Sequence, residues 1–78
     1  MTEILHVDGQ RETVTDKLSL EQMQAIVGGY IEAVALPGGK YLIVNEEGLL
    51  HGLPTNLTAS NIAGRPLVGR AILTDELE

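Results

Sequence analysis

The residues of this chain with chemistry to offer are two histidines, a pair of adjacent carboxylates, and amides and arginines spread along its second half. His51 follows Glu46 by five residues and Glu47 by four. The trio could supply a general base with a carboxylate to orient it, which is what a small hydrolase needs. Nucleophilic catalysis is otherwise poorly served. There is no cysteine, Ser19 stands where a helix needs its cap, and Ser60 has no glycine elbow around it. An isolated histidine in so short a chain is more often a surface or packing residue, and His6 falls in a predicted strand. A divalent ion would have to draw on His6, Glu46, Glu47 and His51, whose spacing matches no metal motif, so neither metal nor cofactor is expected. Gly28-Gly29 and Gly38-Gly39 are not followed by the Gly-Lys-Ser/Thr of a phosphate-binding loop and read as a cap and a turn. The balance weighs against an enzyme. The candidate ligand-binding set is Asn45, Glu46, Asn56, Thr58, Arg65 and Arg70, polar residues in predicted loops. Asn45 and Asn56 flank an apolar segment that could fold over a small cleft. The plainer reading is that each asparagine closes a turn by bonding its own backbone.

The elements that must position these residues follow from local pattern. Residues 2–7 alternate weakly as a strand, Asp8-Gly9 signals a type I′ turn, and residues 10–15 form a polar edge strand, giving an N-terminal hairpin over 1–17. A helix spans 19–28. Ser19 caps it, Gln22 completes a capping box, Leu18 and Met23 occupy the staple positions, and Leu20, Met23, Ile26 and Val27 share a face. Gly28-Gly29 ends it. Residues 30–45 form a hairpin around Pro37-Gly38-Gly39, apolar on both faces as a central place in a sheet demands. After a turn at 45–48 comes the apolar segment 49–53, closed by Pro54. Asn56 or Thr58 then caps a short helical turn within 55–63. Residues 67–74 are the last strand, with Gly69 a bulge, and 75–78 an acidic tail. The expected fold is a single α+β domain over 1–78. It has a small, mostly antiparallel sheet of four to five strands with one short helix packed on one face.

Composition bounds the setting. With 78 residues the chain holds one domain, and a domain of that size buries only about 60% of its unfolded surface. The lack of cysteine removes disulfides and points to a reducing compartment. The first six residues lack the basic start and apolar run of a signal peptide, and no apolar stretch approaches the roughly 20 residues that cross a bilayer. A cytoplasmic protein without membrane contact is expected. There is no Phe or Trp, and the aromatics are Tyr30 and Tyr41. A purely aliphatic core this small is thin, which favours a homo-oligomer. The net charge of −6, from eleven acidic and five basic residues, repels phosphate backbones, so no nucleic-acid partner is expected. The acids are scattered rather than arrayed as in a nucleic-acid mimic, and read as a solvated surface.

Three segments in order, Ile26-Val27-Gly28-Gly29-Tyr30-Ile31-Glu32, Val44-Asn45-Glu46-Glu47-Gly48 and Gly52-Leu53-Pro54-Thr55-Asn56 with Thr58-Ala59, closely resemble the family called domain of unknown function 3846. Leu67-Val68-Gly69-Arg70-Ala71 is similar to that family's final strand. The resemblance covers roughly residues 19–73 and is weaker before them. It implies an accessory protein of a phage or other mobile element, acting in the cytoplasm of a host bacterium, and carries over no catalytic roles. It singles out Asn45, Glu46, Gly48 and Asn56. The leading expectation is thus a non-enzymatic binding protein that sequesters a small molecule, in its most specific form a nucleotide-type defence signal, with Lys40, Arg65 and Arg70 gathered to meet phosphate. The rivals are an inhibitor that binds a host enzyme, and a hydrolase using His51 with Glu46 or Glu47.

Overall fold

The computed structural model describes residues 1–75; residues 76–78 of the expected acidic tail lie outside the described part. The first hairpin joins β1 (Thr2–Leu5) to β2 (Arg11–Val14), pairing Thr2 with Val14 and Leu5 with Arg11. Its turn is not the expected type I′. Only Gly9 takes a positive φ, of 94°, while the Asp8 carboxylate accepts a hydrogen bond from the Gln10 N–H. His6 N–H donates to Gln10 O and Gly9 N–H to His6 O, so three residues bridge the strands and a single left-handed glycine suffices.

Helix α1 (Leu20–Val27) starts as its sequence dictates. Ser19 Oγ accepts from the Gln22 N–H at 3.1 Å, and Gln22 Oε1 accepts from the Ser19 N–H at 2.8 Å. Val27 of α1, with Met23, Ile26 and the preceding Leu18, packs on Ile43 and Ile72. Leu20 belongs to the first turn and stays exposed.

The second hairpin comprises β3 (Ile31–Leu36) and β4 (Lys40–Asn45). Then follow α2 (Leu57–Ala63) and β5 (Ala71–Thr74). The five strands form one antiparallel sheet in the order β2-β1-β5-β4-β3. Strand alternation divides the interior in two. Ile43 and Ile72 face α1, whereas Leu5, Leu42, Val44 and Ala71 face the other way and pack with Ala59 of α2 and with Leu67. The fold is the expected α+β type, with a second helix: where one helical turn is expected within 55–63, residues 57–63 form two turns that cover the face α1 leaves open.

Two placements differ from expectation. Strand β3 lies at an edge rather than the centre. It is apolar on both faces because Ile31 joins the cluster beneath α1 while Val34 and Leu36 join the opposite one. The last strand begins at Ala71, not at 67. Val68 only bridges Thr55, and Gly69, at φ 77°, breaks the ladder.

Ion pairs fasten the N-terminal strand. Arg11 donates to both Glu3 oxygens at 2.9 and 3.0 Å, and the Met1 ammonium donates to Asp75 at 2.8 Å. The Arg11 hydrogen bonds hold the Glu3 carboxyl below its usual range, and the terminal ammonium does the same to Asp75. Because both are depressed in the folded state, their contribution is complete above the unfolded carboxylate range and is lost as pH falls below it. Melting temperature should hold from neutral pH to about pH 5 and then decline gently, less so in Glu3→Gln. Calorimetry across that range checks this, and a Glu3→Gln profile parallel to the wild type would contradict it.

Candidate functional site

A cleft of about 470 Å³ lies between the loop after β4 and the segment after α2. Its loop wall is Glu46, Glu47, Gly48, Leu49 and Leu50, and Arg65, Pro66 and Val68 form the other. Val44 and Leu67 lie among the lining, and Glu32 of β3 closes one side.

Asn45 launches the loop wall. Its Nδ2 donates to Val27 O at the end of α1 (3.0 Å), and its Oδ1 accepts from the Glu47 N–H (2.7 Å), turning the chain as β4 ends. Gly48 N–H then donates to Asn45 O, His51 N–H to Glu47 O, and Leu53 N–H to Gly48 O. Gly48 is required by space, not by conformation. A Cβ there would sit 2.7 Å from Val68 Cγ2, so the two walls touch beneath the cleft. The loop leaves Leu49 and Leu50 each 83% exposed on the lip. The apolar run 49–53 thus forms turns that present leucines to solvent.

Asn56 holds the opposite wall. It is fully buried, and its Nδ2 donates to Leu5 O (3.0 Å) and Gly69 O (2.8 Å) while Oδ1 accepts from the Ala59 N–H to cap α2. Ser60 Oγ accepts from the Leu67 N–H and donates to Leu67 O. These bonds fix residues 65–69 beside the sheet. Arg65 Nη2 then lies 3.5 Å from Glu32 Oε2, both about half exposed.

Of the residues expected to bind ligand, Asn45, Glu46 and Arg65 line the cleft. Asn45 is buried with its amide engaged by backbone, which leaves Glu46 and Arg65 as the groups free to face a ligand. Asn56 is inaccessible, Thr58 is half-buried on α2, and Arg70 is exposed but not part of the lining. Lys40 lines a separate shallow pocket with Glu3 and Asp75, at the other end of the β3–β4 hairpin from Arg65. Six residues of strand separate those ends by roughly 17 Å, so within one chain the cations do not share a cleft. His51 Nε2 stands 3.8 Å from Glu47 Oε1, beyond hydrogen-bond reach, with both side chains well exposed and His51 outside the lining. Among the described residues no group of three or more His, Asp or Glu could hold a metal ion. Local reading missed Glu32, Leu49, Leu50 and Val68 as site residues. Only the register pairing Glu32 with Val44 puts that carboxylate beside the loop.

The family model of DUF3846, a domain of unknown function, matches residues 1–78, the whole chain. The chain belongs to the DUF3846 family. Membership extends to the N-terminal hairpin, where the motifs are weakest. No curated protein and no solved structure matches it. Among the described residues of this DUF3846 domain no helix is long and apolar enough to cross a membrane.

Proposed function

We propose that this DUF3846 domain is a non-enzymatic binding protein that takes a small molecule into the cleft between Leu50 and Arg65, with a preference for a compact ligand carrying an apolar body and a cationic group. The support is the lining itself. A volume of about 470 Å³ suits a small molecule, two exposed leucines offer apolar contact, and Glu32, Glu46 and Glu47 supply negative charge. Arg65 is the one cation among the described lining residues, and Glu32 already stands beside it. The described lining carries no hydroxyl, thiol or imidazole, and its carboxylates, Glu32, Glu46 and Glu47, suit holding a cationic group, which supports binding over conversion. Such retention fits an accessory protein of a mobile element that depletes a host compound.

A nucleotide-type ligand is the second reading, favoured by the exposed half of Arg65 at the cleft. Amide chemical-shift titration with benzylamine and with ADP as separate probes decides between them. Benzylamine is expected to move Gly48, Leu50 and Val68 together and ADP to leave them still. ADP shifts at these amides that vanish in Arg65→Ala would favour the nucleotide. Shifts confined elsewhere for both probes would remove the cleft as the site.

A further inference from the structure

Among the described residues, strand β3 has β4 on one side and no strand on the other. Which of its backbone groups face outward follows from one bond. Glu46 N–H donates to Tyr30 O at 2.8 Å, so residues 30 and 46 are a hydrogen-bonded pair of the ladder. Antiparallel pairs alternate, and with the register 31↔45 through 36↔40 the paired groups on β3 belong to residues 30, 32, 34 and 36. The N–H and C=O groups of Ile31, Ala33 and Ala35 therefore point away from β4.

The edge carries none of the devices that discourage strand addition. It has no proline, lysine or bulge within its six residues, and its single charge, Glu32, stands beside Arg65. The opposite edge is different. β2 is four residues long, and its charges are arrayed along it, Arg11 bonded to Glu3 and Glu12 within 3.2 Å of His6.

We infer that β3 is the contact by which two copies of this chain associate, antiparallel about a two-fold axis at Ala33, joining two five-stranded sheets into one. A two-fold perpendicular to the sheet keeps each face on its own side, so odd residues must meet odd ones and even ones even. Centring on Ala33 satisfies this and uses every outward group. Ala33 meets Ala33, Ile31 meets Ala35, and roughly six backbone hydrogen bonds form. On the other face Glu32 meets Val34, and Tyr30, 69% exposed in one chain, comes opposite Leu36 of the second copy. Centring on Val34 would instead set Ile31 against Pro37, which has no N–H to give. The thin aliphatic core, with no Phe or Trp, gains the burial that a chain of this length lacks.

Hydrogen exchange on the unmodified protein tests this, because the outward amides of Ile31, Ala33 and Ala35 exchange freely in a single chain. The expected result is slow exchange at these three that speeds up on dilution, with those of Glu32, Val34 and Leu36 slow throughout. Sedimentation equilibrium should find a dimer across the micromolar range. Ala33→Lys, an exposed position, should return it to monomer with unchanged circular dichroism as two ammonium groups meet at the axis. Fast exchange at all three amides, a monomer at every concentration, or a dimer indifferent to Ala33→Lys would each overturn the inference.

Discussion

Replacing Asn56 with alanine is expected to lower the unfolding free energy by about 3–5 kcal/mol, because three buried backbone groups lose their partner at once. Leu5 O and Gly69 O would keep no bond from the amide, and the first turn of α2 would lose its cap. Small domains have total stabilities of about 5–15 kcal/mol, and a chain this short falls near the low end, so the variant should keep little of its stability. Asn56→Asp separates the two roles of this side chain. Aspartate caps a helix as well as asparagine does, so a residue that only capped α2 would tolerate the change. Here the carboxylate would turn an oxygen towards the Leu5 and Gly69 carbonyls, and the loss should rival that of alanine. Urea denaturation of both variants is the check. An aspartate variant close to the wild type would reduce Asn56 to a cap.

The second large effect is expected at Gly48. Alanine there should cost about 1–3 kcal/mol through overpacking, since its Cβ would lie 2.7 Å from Val68 Cγ2. The backbone is not left-handed at this glycine, so strain plays no part. Val68→Ala removes the obstructing methyl at its own moderate cost. The double variant Gly48→Ala/Val68→Ala should therefore be more stable than the sum of the single changes allows. Strict additivity would mean that the two walls of the cleft do not meet at this point.

How much of this could be read locally varies by element. The bounds and caps of helix α1 were legible because their instructions are contiguous: Ser19 and Gln22 exchange both bonds of the capping box, and Gly28 closes the end, although Leu20 of the expected apolar face stays exposed. The choice between Asn56 and Thr58 as the cap of α2 was not. Asn56 wins through Leu5 O, 51 residues away, and no local pattern encodes that contact. The apolar character of residues 31–36 indicated burial on two faces but not rank in the sheet, since an edge strand flanked by packing above and below looks like a central one. In the cleft, Glu46 and Arg65 could be picked out as loop polars. Leu49 and Leu50 could not, because an apolar run is ordinarily read as core, and only the turns around Gly48 and Gly52 turn it outward.

The position of β5 bears on how the molecule is assembled in time. The strand that comes latest in the described sequence is the middle one, paired with β1 on one side and β4 on the other. Each hairpin is local and can zip within microseconds of leaving the ribosome, but both then wait with an open inner edge. Ile72 aligns with Ile4 and Ile43 together, so its arrival joins two halves that have no ladder between them beforehand. A nascent chain halted before residue 71 has no strand to join β1 to β4 in one sheet. Folding is then gated by an insertion that spans nearly the whole chain, the kind of long-range closure that slows a small domain and leaves its unfinished forms prone to pairing with one another.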